Sequence, residues 1–496
     1  MKKIVFLFFL LPALLGSCHK ESMSSGILTT KTVESDEVAD RFFVSEREAI
    51  SFIAEAFKET DVLSITPVSA NGTPLMYIMN FESGWKIVSA DKRMPPVLAF
   101  SKTGHFNETW ENNPGTKFWV KSAKTAISTI KTNNVSANKN TEIWDSNTSA
   151  SVKNVKDSLI RYDPNVLWTK ITLSETTNET QTMLYGPYTE TAWGQLAPWN
   201  NNFPEDQALV ANPAFNPYNT NNKFYTGCVS VALSQLFYYY HYKYNQPSGL
   251  YTSLNSSSLT PVDTLDFYYN QLTPILIGTY RINLLRNNYE SPSSRWSQMA
   301  KDSVSSGSTS YVSDLMLDVG CRANISYSGI IGSGGSPQDA FSTFPYFGLQ
   351  ASMGSFQKDT VLTNLIQERP VFIGGHDYNG SGHAWIIDGY YKSTITKHTS
   401  YKWMLGYNPQ EGVGEPATYE EALAAAELMG MDKPEDPMWT DETIVTTYDY
   451  YNMNLGWDGD GNGFYLMVYP GLGVNLPYNH YPENVTIFYN IIPSQQ

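Results

Sequence analysis

Tyr225-Thr226-Gly227-Cys228-Val229-Ser230-Val231-Ala232-Leu233-Ser234-Gln235-Leu236 is the stretch whose reading decides the fold. Gly227 permits a tight entry. Ala232, Leu233, Leu236 and Phe237 recur at helical spacing, and a tyrosine-rich continuation carries the pattern to Tyr244. The stretch predicts a long apolar helix with a cysteine on its first turn. A thiol there points into the positive end of the helix, where about half an elementary charge of unsatisfied amides favours the thiolate. That arrangement prepares a nucleophile. The competing reading is an ordinary core cysteine, since free Cys is among the most buried residue types. The choice turns on whether the chain also supplies a base, a group to hold the base, and an oxyanion donor.

Seven histidines are available as the base. His19 and His105 lie far upstream, and His241 is thirteen residues along the same helix, a long way down its axis. His398 and His480 sit in polar surroundings, while His376 and His383 flank a Gly/Ser/Asn turn. His383 stands out. Ser381-Gly382 precede it and the apolar strand Ala384-Trp385-Ile386-Ile387 follows, so its imidazole emerges where a buried strand begins. A hydrogen-bonded core histidine is the alternative.

The 496 residues suffice for two or three domains and a large core. Tyr 33, Phe 23 and Trp 12, with Asn, Ser and Thr common in the loops, suit an extracytoplasmic, β-rich protein. A formal charge of −15 argues against a nucleic-acid partner, which needs a basic footprint. Lys2 and Lys3 precede the apolar run Ile4 to Leu15, after which comes Leu15-Gly16-Ser17-Cys18. This pattern reads as a secretory signal peptide over residues 1–17. It resembles the lipobox of bacterial lipoproteins, in which Cys18 becomes the lipidated first residue and anchors the chain to a membrane surface. Cys228 and Cys321 would then be the remaining thiols, and in an oxidising compartment they could pair, which would end the nucleophile reading.

Residues 18–40 are polar and serine-rich and read as a tether. From 41 to 128 the pattern is that of a small α+β unit. Ser45 and Glu48 form a capping box ahead of an apolar helical face, and strand-like runs follow at 75–81, 84–90 and 95–101. Residues 129–179, rich in Asn, Ser, Thr and Lys, read as an exposed, protease-accessible linker. From about 180 to 496 aromatics are dense, with buried strands expected at 370–375 and 383–390 and a helix at 311–320.

Four motifs occur in order: Trp193-Gly194-Gln195 with Pro198-Trp199-Asn200; Thr226-Gly227-Cys228-Val229-Ser230-Val231-Ala232; Gly382-His383-Ala384-Trp385-Ile386-Ile387-Asp388-Gly389; and Asn454-Leu455-Gly456-Trp457. Together they resemble the streptopain family of papain-like cysteine peptidases. The run Gly84-Trp85-Lys86-Ile87-Val88-Ser89-Ala90, continuing to Leu98, is similar to that family's propeptide, and Asp318-Val319-Gly320 falls where the family has such a motif. The resemblance implies an α+β fold, a papain-like catalytic domain over 180–496 preceded by an inhibitory prodomain over 41–128 that acts in cis. It also implies a zymogen activated by cleavage in the 129–179 linker, and an endopeptidase acting on polypeptides without metal or cofactor. A hydrophobic preference two residues before the scissile bond goes with it. Residue by residue, Cys228 is the nucleophile, His383 the base and later acid, Asn454 the group that holds the imidazole, and Gln195 an oxyanion donor beside the Cys228 N–H, with Trp457 in support.

Two departures accompany the resemblance. Leu455 stands where relatives usually carry Trp, so the ring that would cover an Asn–His hydrogen bond is missing. His383 and Asn454 are far apart in sequence, so residues about 395–448 read as an insertion, with a helix near 419–428 capped by Thr418. Asp458-Gly459-Asp460-Gly461-Asn462-Gly463 looks like the opening of a calcium loop, but its twelfth position is Tyr469 rather than Glu, and a turn before a strand is the reading adopted. A surface protein that keeps the peptidase fold for binding is the alternative function, motivated by the aromatic richness and by Leu455.

Overall fold

The structure, a computed structural model, describes residues 40–107, 110–144, 168–244, 264–272, 277–285, 296–330, 332–376, 382–405, 439–469, 474–475 and 485–494. The expected signal peptide, Cys18, the tether up to residue 39 and the 419–428 helix lie outside them.

From residue 42 onward the chain forms one unit. It begins with helix α1 (Glu46–Ala56), started by the expected Ser45/Glu48 capping box. Strands β1 (Val62–Ala70), β2 (Thr73–Phe81), β3 (Gly84–Ser89) and β4 (Val97–Ser101) follow, then helices α2 (Pro114–Thr132) and α3 (Lys139–Trp144). After β5 (Trp168–Tyr185) and α4 (Gln207–Ala211) comes the central helix α5 (Cys228–Tyr244). The rest comprises β6 (Thr264–Leu272), β7 (Ile277–Leu285), α6 (Thr309–Arg322), β8 (Ser326–Tyr327), α7 (Pro337–Phe341), β9 (Leu349–Ser355), α8 (Lys358–Ile366), β10 (Val371–His376), β11 (Gly382–Leu405), β12 (Trp439–Asn454), β13 (Gly463–Leu466), β14 (Val468–Tyr469), β15 (Val474–Asn475) and β16 (Thr486–Pro493). The fold is α+β, as the motifs implied, with mostly antiparallel pairing.

One large sheet runs in the order β1-β2-β3-β4-β13-β12-β11-β10-β16-β9, and β5 pairs with β11. The N-terminal four strands join the rest through a short seam, Phe464↔Phe100 and Tyr465↔Ala99. Side chains alternate across β11 with period two. Ala384 and Ile386 enter the core around α5, whereas Trp385 and Ile387 enter the core that α1, α2, α3 and β1–β4 build on the opposite face. The central sheet is therefore sandwiched between α5 and the N-terminal unit.

The 129–179 stretch departs from the linker reading at both described ends. α2 continues to Thr132, and α3 buries Ile143 and Trp144, with the Trp144 indole donating to the Met94 carbonyl (3.3 Å). β5 then pairs with β11 from Trp168↔Leu405 to Tyr185↔Tyr390. On its other edge β11 pairs with β12 from Asn454↔Ile386 out to Trp439↔Lys402. The described flanks of the expected insertion, 395–405 and 439–448, thus extend two strands into an antiparallel arm that β5 completes.

Candidate active site

Cys228 is the first residue of α5, as its sequence position predicted. Gly227 enters with φ +85°, and a Cβ there would lie 3.1 Å from Ser333 Cβ, so both conformation and space call for glycine. Ser333 Oγ in turn donates to the Tyr225 carbonyl at 2.9 Å, holding the approach to the helix. Cys228 and Cys321 are not joined in a disulfide, so the disulfide alternative is not realised. Burial pushes the Cys228 thiol up rather than down. It is opposed by hydrogen bonds from the backbone N–H groups of Ala384, Val229 and Cys228 itself. The helix-end amides are thus directed at the sulfur, yet in this form desolvation outweighs them.

The Ala384 N–H brings β11 onto the sulfur, and the residue before it is His383. That histidine is buried, and its ring lies parallel to Trp385 at 5.8 Å. Its Nε2 donates to the Leu455 carbonyl at 3.1 Å, which fixes the tautomer and leaves Nδ1 as the acceptor. Burial pulls its pKa down to about 4, with the Leu455 carbonyl working against that shift. Thiol and imidazole are therefore both neutral at neutral pH.

Asn454 does not hold the imidazole here. Its side-chain amide donates to the Thr191 carbonyl (2.7 Å) and to Gln235 Oε1 (3.0 Å), and its oxygen accepts from Gln235 Nε2 (3.3 Å) and the Gly456 N–H (3.3 Å). The physical reason is register. Asn454 pairs with Ile386, and its side chain meets Gln235, seven residues along α5 from Cys228, so it pins the strand end to the helix. The carbonyl of the next residue is what reaches His383. Gln235, fully buried in α5, is a residue that sequence reasoning passed over; a long amide side chain among Leu233, Leu236 and Phe237 was the available signal. The Leu455 carbonyl left none, because a backbone acceptor carries no residue identity.

Gln195 is buried, and its carbonyl accepts from the Thr226 N–H (3.1 Å), which ties its segment to the turn two residues before Cys228. The Asp458–Gly463 stretch forms the expected turn before β13. Asp458 has φ +55°, its carboxylate accepts from the Trp199 indole, and it packs so tightly on Gly194 that a Cβ there would be only 2.5 Å away. Trp457 lies parallel to Tyr225 at 6.5 Å. Gln195, Tyr225 and the 454–458 segment therefore converge on one end of α5. Among the described residues no cluster of three His, Cys, Asp or Glu is placed to hold a metal.

The start of α2 covers this site. Asn113 caps the helix by accepting from Gly115 N–H (2.9 Å), and its amide donates to the Asp460 carbonyl (2.8 Å). Gly115 lies so close that an added Cβ would be 2.9 Å from His383 Nε2 and 3.0 Å from Leu455 Cδ2. One turn on, the Phe118 ring meets Trp385 at 6.3 Å, and the Trp119 indole donates to the Leu466 carbonyl.

A cysteine at a helix start, a histidine on the adjoining antiparallel sheet and a covering N-terminal unit define a papain-like cysteine peptidase with its prodomain-like unit in place. Residues 193–409 match the model of the peptidase C10 family, and residues 30–127 match that of the Spi protease inhibitor. Streptopain of Streptococcus pyogenes serotype M1 is 25% identical over 328 residues, covering 63% of this chain and 68% of its own. Among solved structures, a prointerpain A fragment of Prevotella intermedia is 17% identical, covers 87% of this chain and 99% of its own, and has a TM-score of 0.48. Active wild-type interpain A from the same organism is 17% identical, covers 62% and 95%, and has a TM-score of 0.35. Over these spans the chain is similar to the streptopain-like C10 cysteine peptidases, which supports a cysteine-type peptidase.

Proposed function

We propose that the chain is the zymogen of a secreted cysteine endopeptidase, anchored through a lipid on Cys18, in which residues 41 to about 144 act as an inhibitory prodomain in cis. The observation that carries this reading is the seating of α2 on His383, with Gly115 against the imidazole and Cys228 waiting at the start of α5. Once α2 leaves, water reaches the imidazole and its pKa rises from about 4 toward its ordinary value. His383 can then accept the thiol proton, and thiolate and imidazolium stabilise each other.

The reaction follows from these groups. The Cys228 sulfur attacks the peptide carbonyl carbon while the oxyanion is met by the Cys228 N–H and the Gln195 amide. The C–N bond breaks as His383 gives its proton to the leaving amine, producing a thioester on Cys228. Water, deprotonated by His383, then releases the acid and restores the thiol. The Leu455 carbonyl orients the imidazole, and Asn454 acts through Leu455 by pinning the strand end to Gln235.

Labelling tests the proposal. After removal of the N-terminal unit, a peptidyl epoxide should label Cys228 stoichiometrically, and Cys228→Ala should not label. Absence of labelling in folded, prodomain-free protein would replace the peptidase reading with a binding role. Mass spectrometry of membrane-associated protein tests the lipid: a diacylated Cys18 peptide is expected, and an unmodified N-terminus would remove the anchor.

A further inference from the structure

We propose that the arm formed by the outer parts of β5, β11 and β12 is a docking platform for this chain's own prodomain, and that it keeps residues 42–144 bound after the connection to β5 is cut. The inference rests on reading the N-terminal unit as a prodomain.

The arm stands apart from the chemistry. Lys397 lies fourteen strand residues beyond His383, roughly 45 Å at about 3.3 Å per residue. Each of its three strands nevertheless reaches the N-terminal unit. Lys397 on β11 donates to the Glu142 carbonyl near the end of α3 (3.0 Å) and pairs with Glu175 of β5 (2.6 Å), the two side chains being only 7% and 10% exposed. On β12 the Tyr448 hydroxyl donates to Asn140 Oδ1 of α3 (2.9 Å). On β5 the Thr177 N–H donates to Glu55 Oε1 of α1 (2.8 Å). The same α3 belongs firmly to the prodomain: Asn140 donates to the Arg93 carbonyl (2.9 Å), and Trp144 packs on Phe52 at 4.6 Å.

The chemistry of this contact suits a partner that comes off as a unit. A lysine beneath the last carbonyls of a helix complements their partial negative charge. When α3 leaves, the Lys397–Glu175 pair and the Tyr448 hydroxyl are rehydrated rather than stranded, so the arm stays folded without its occupant. A cut between Trp144 and Trp168 leaves α3 on one fragment and β5 on the other, so no contact named above is lost by it. Two separated anchors, α2 on His383 and α3 on the arm, also hold each other at high effective concentration. Activation is then completed by departure or digestion of the prodomain, not by the cut itself.

The test uses the full chain carrying Cys228→Ala and a thrombin recognition sequence between Trp144 and Trp168. After thrombin cutting, the two fragments should co-elute in size exclusion at micromolar concentration. Lys397→Met with Tyr448→Phe should speed their separation at least about tenfold, the effect falling on the off-rate. In the Cys228 background the same pair of substitutions should leave the mature enzyme's kcat/KM within about twofold, and its thermal unfolding and far-UV circular dichroism unchanged. Asn140→Ala gives the same weakening from the prodomain side, leaving the mature enzyme's sequence untouched. Immediate separation on cutting overturns the proposal, and so does retention unaffected by both the arm substitutions and Asn140→Ala. Neither outcome touches the peptidase reading, which stands or falls on Cys228 labelling.

Discussion

The two faces of the central sheet are covered in different chemical styles. Beneath α5 phenylalanines meet phenylalanines, Phe372 stacking on Phe488 at 4.4 Å, Phe237 on Phe347 at 4.3 Å and Phe344 meeting Phe488 edge-on, with the buried Tyr240 and Tyr244 hydroxyls donating to the Pro370 and Ile491 carbonyls. Beneath the N-terminal unit tyrosines predominate. Tyr390, Tyr391, Tyr448, Tyr450, Tyr451 and Tyr465 are all buried there, and two of their hydroxyls end on the covering unit. The Tyr450 hydroxyl donates to the Val97 carbonyl of β4 at 2.9 Å, and the Tyr448 hydroxyl to Asn140. A phenylalanine face has to stay covered, whereas a tyrosine face can exchange its protein acceptors for water. On the proposed zymogen reading, the sheet carries one permanent cover and one removable cover.

The largest effect sits on the permanent side. Cys228→Ala should lower kcat/KM of the mature enzyme by about 10⁴-fold or more and stop self-processing, read by full-length chain persisting on a gel. If wild type and Cys228→Ala mature equally in a preparation free of other proteases, self-processing is removed. Next, Phe488→Ala should destabilise prodomain-bound and mature forms alike by about 3–5 kcal/mol in denaturant titrations, because its neighbours are present in both. A loss confined to the prodomain-bound form would break the contrast between the faces.

Acid should act only on the removable side. With α2 seated, the His383 pKa is about 4; exposed, it returns toward 6.5. The uncovered state binds the proton more tightly, so prodomain binding is strongest above pH 6.5 and weakens as pH falls from 6.5 to 4. The full effect is about 3 kcal/mol. Dissociation of the cut Cys228→Ala complex, measured across that range, should accelerate on acidification; a pH-independent rate that persists in His383→Gln would assign the coupling elsewhere. The smallest effect is Tyr450→Phe, expected to weaken prodomain binding by about 1 kcal/mol while leaving the mature enzyme's stability unchanged. Equal destabilisation of both forms would show that this hydroxyl serves the enzyme rather than the cover.

The fold's outline was legible because its signals are local. The Ser45/Glu48 capping box, the 3.6-residue period after Cys228 and the apolar run after His383 each depend on neighbours in sequence, and each formed as read. Two readings depended on tertiary partners and differed. α3 has only six residues and no period to detect; it exists because Asn140 and Trp144 find carbonyls of Arg93 and Met94. β5 reads as polar linker because its Thr, Ser and Asn content outweighs its pattern, yet threonine suits a pleated surface once β11 offers an edge. At the site, sequence order singled out Cys228 and His383, and the structure brings the Ala384 N–H, next to His383, to the Cys228 sulfur. Asn454 was assigned to the imidazole, but a one-residue step along the strand end gives that bond to the Leu455 carbonyl instead. Leu455 itself, read as leaving an Asn–His bond without its covering ring, is buried against Gly115 and helps form the seat for α2.

Gly115 has a consequence at the level of the gene. Every missense change at this codon adds at least a Cβ, and the nearest atoms in its path are the His383 ring nitrogen at 2.9 Å and the Leu455 side chain. On the proposed reading, mutation there leaves the catalyst's own residues unchanged and impairs the restraint. If the N-terminal unit is the prodomain proposed above, latency is one substitution away from leaking, and selection for premature proteolysis should recover alleles at position 115 among those altering α2.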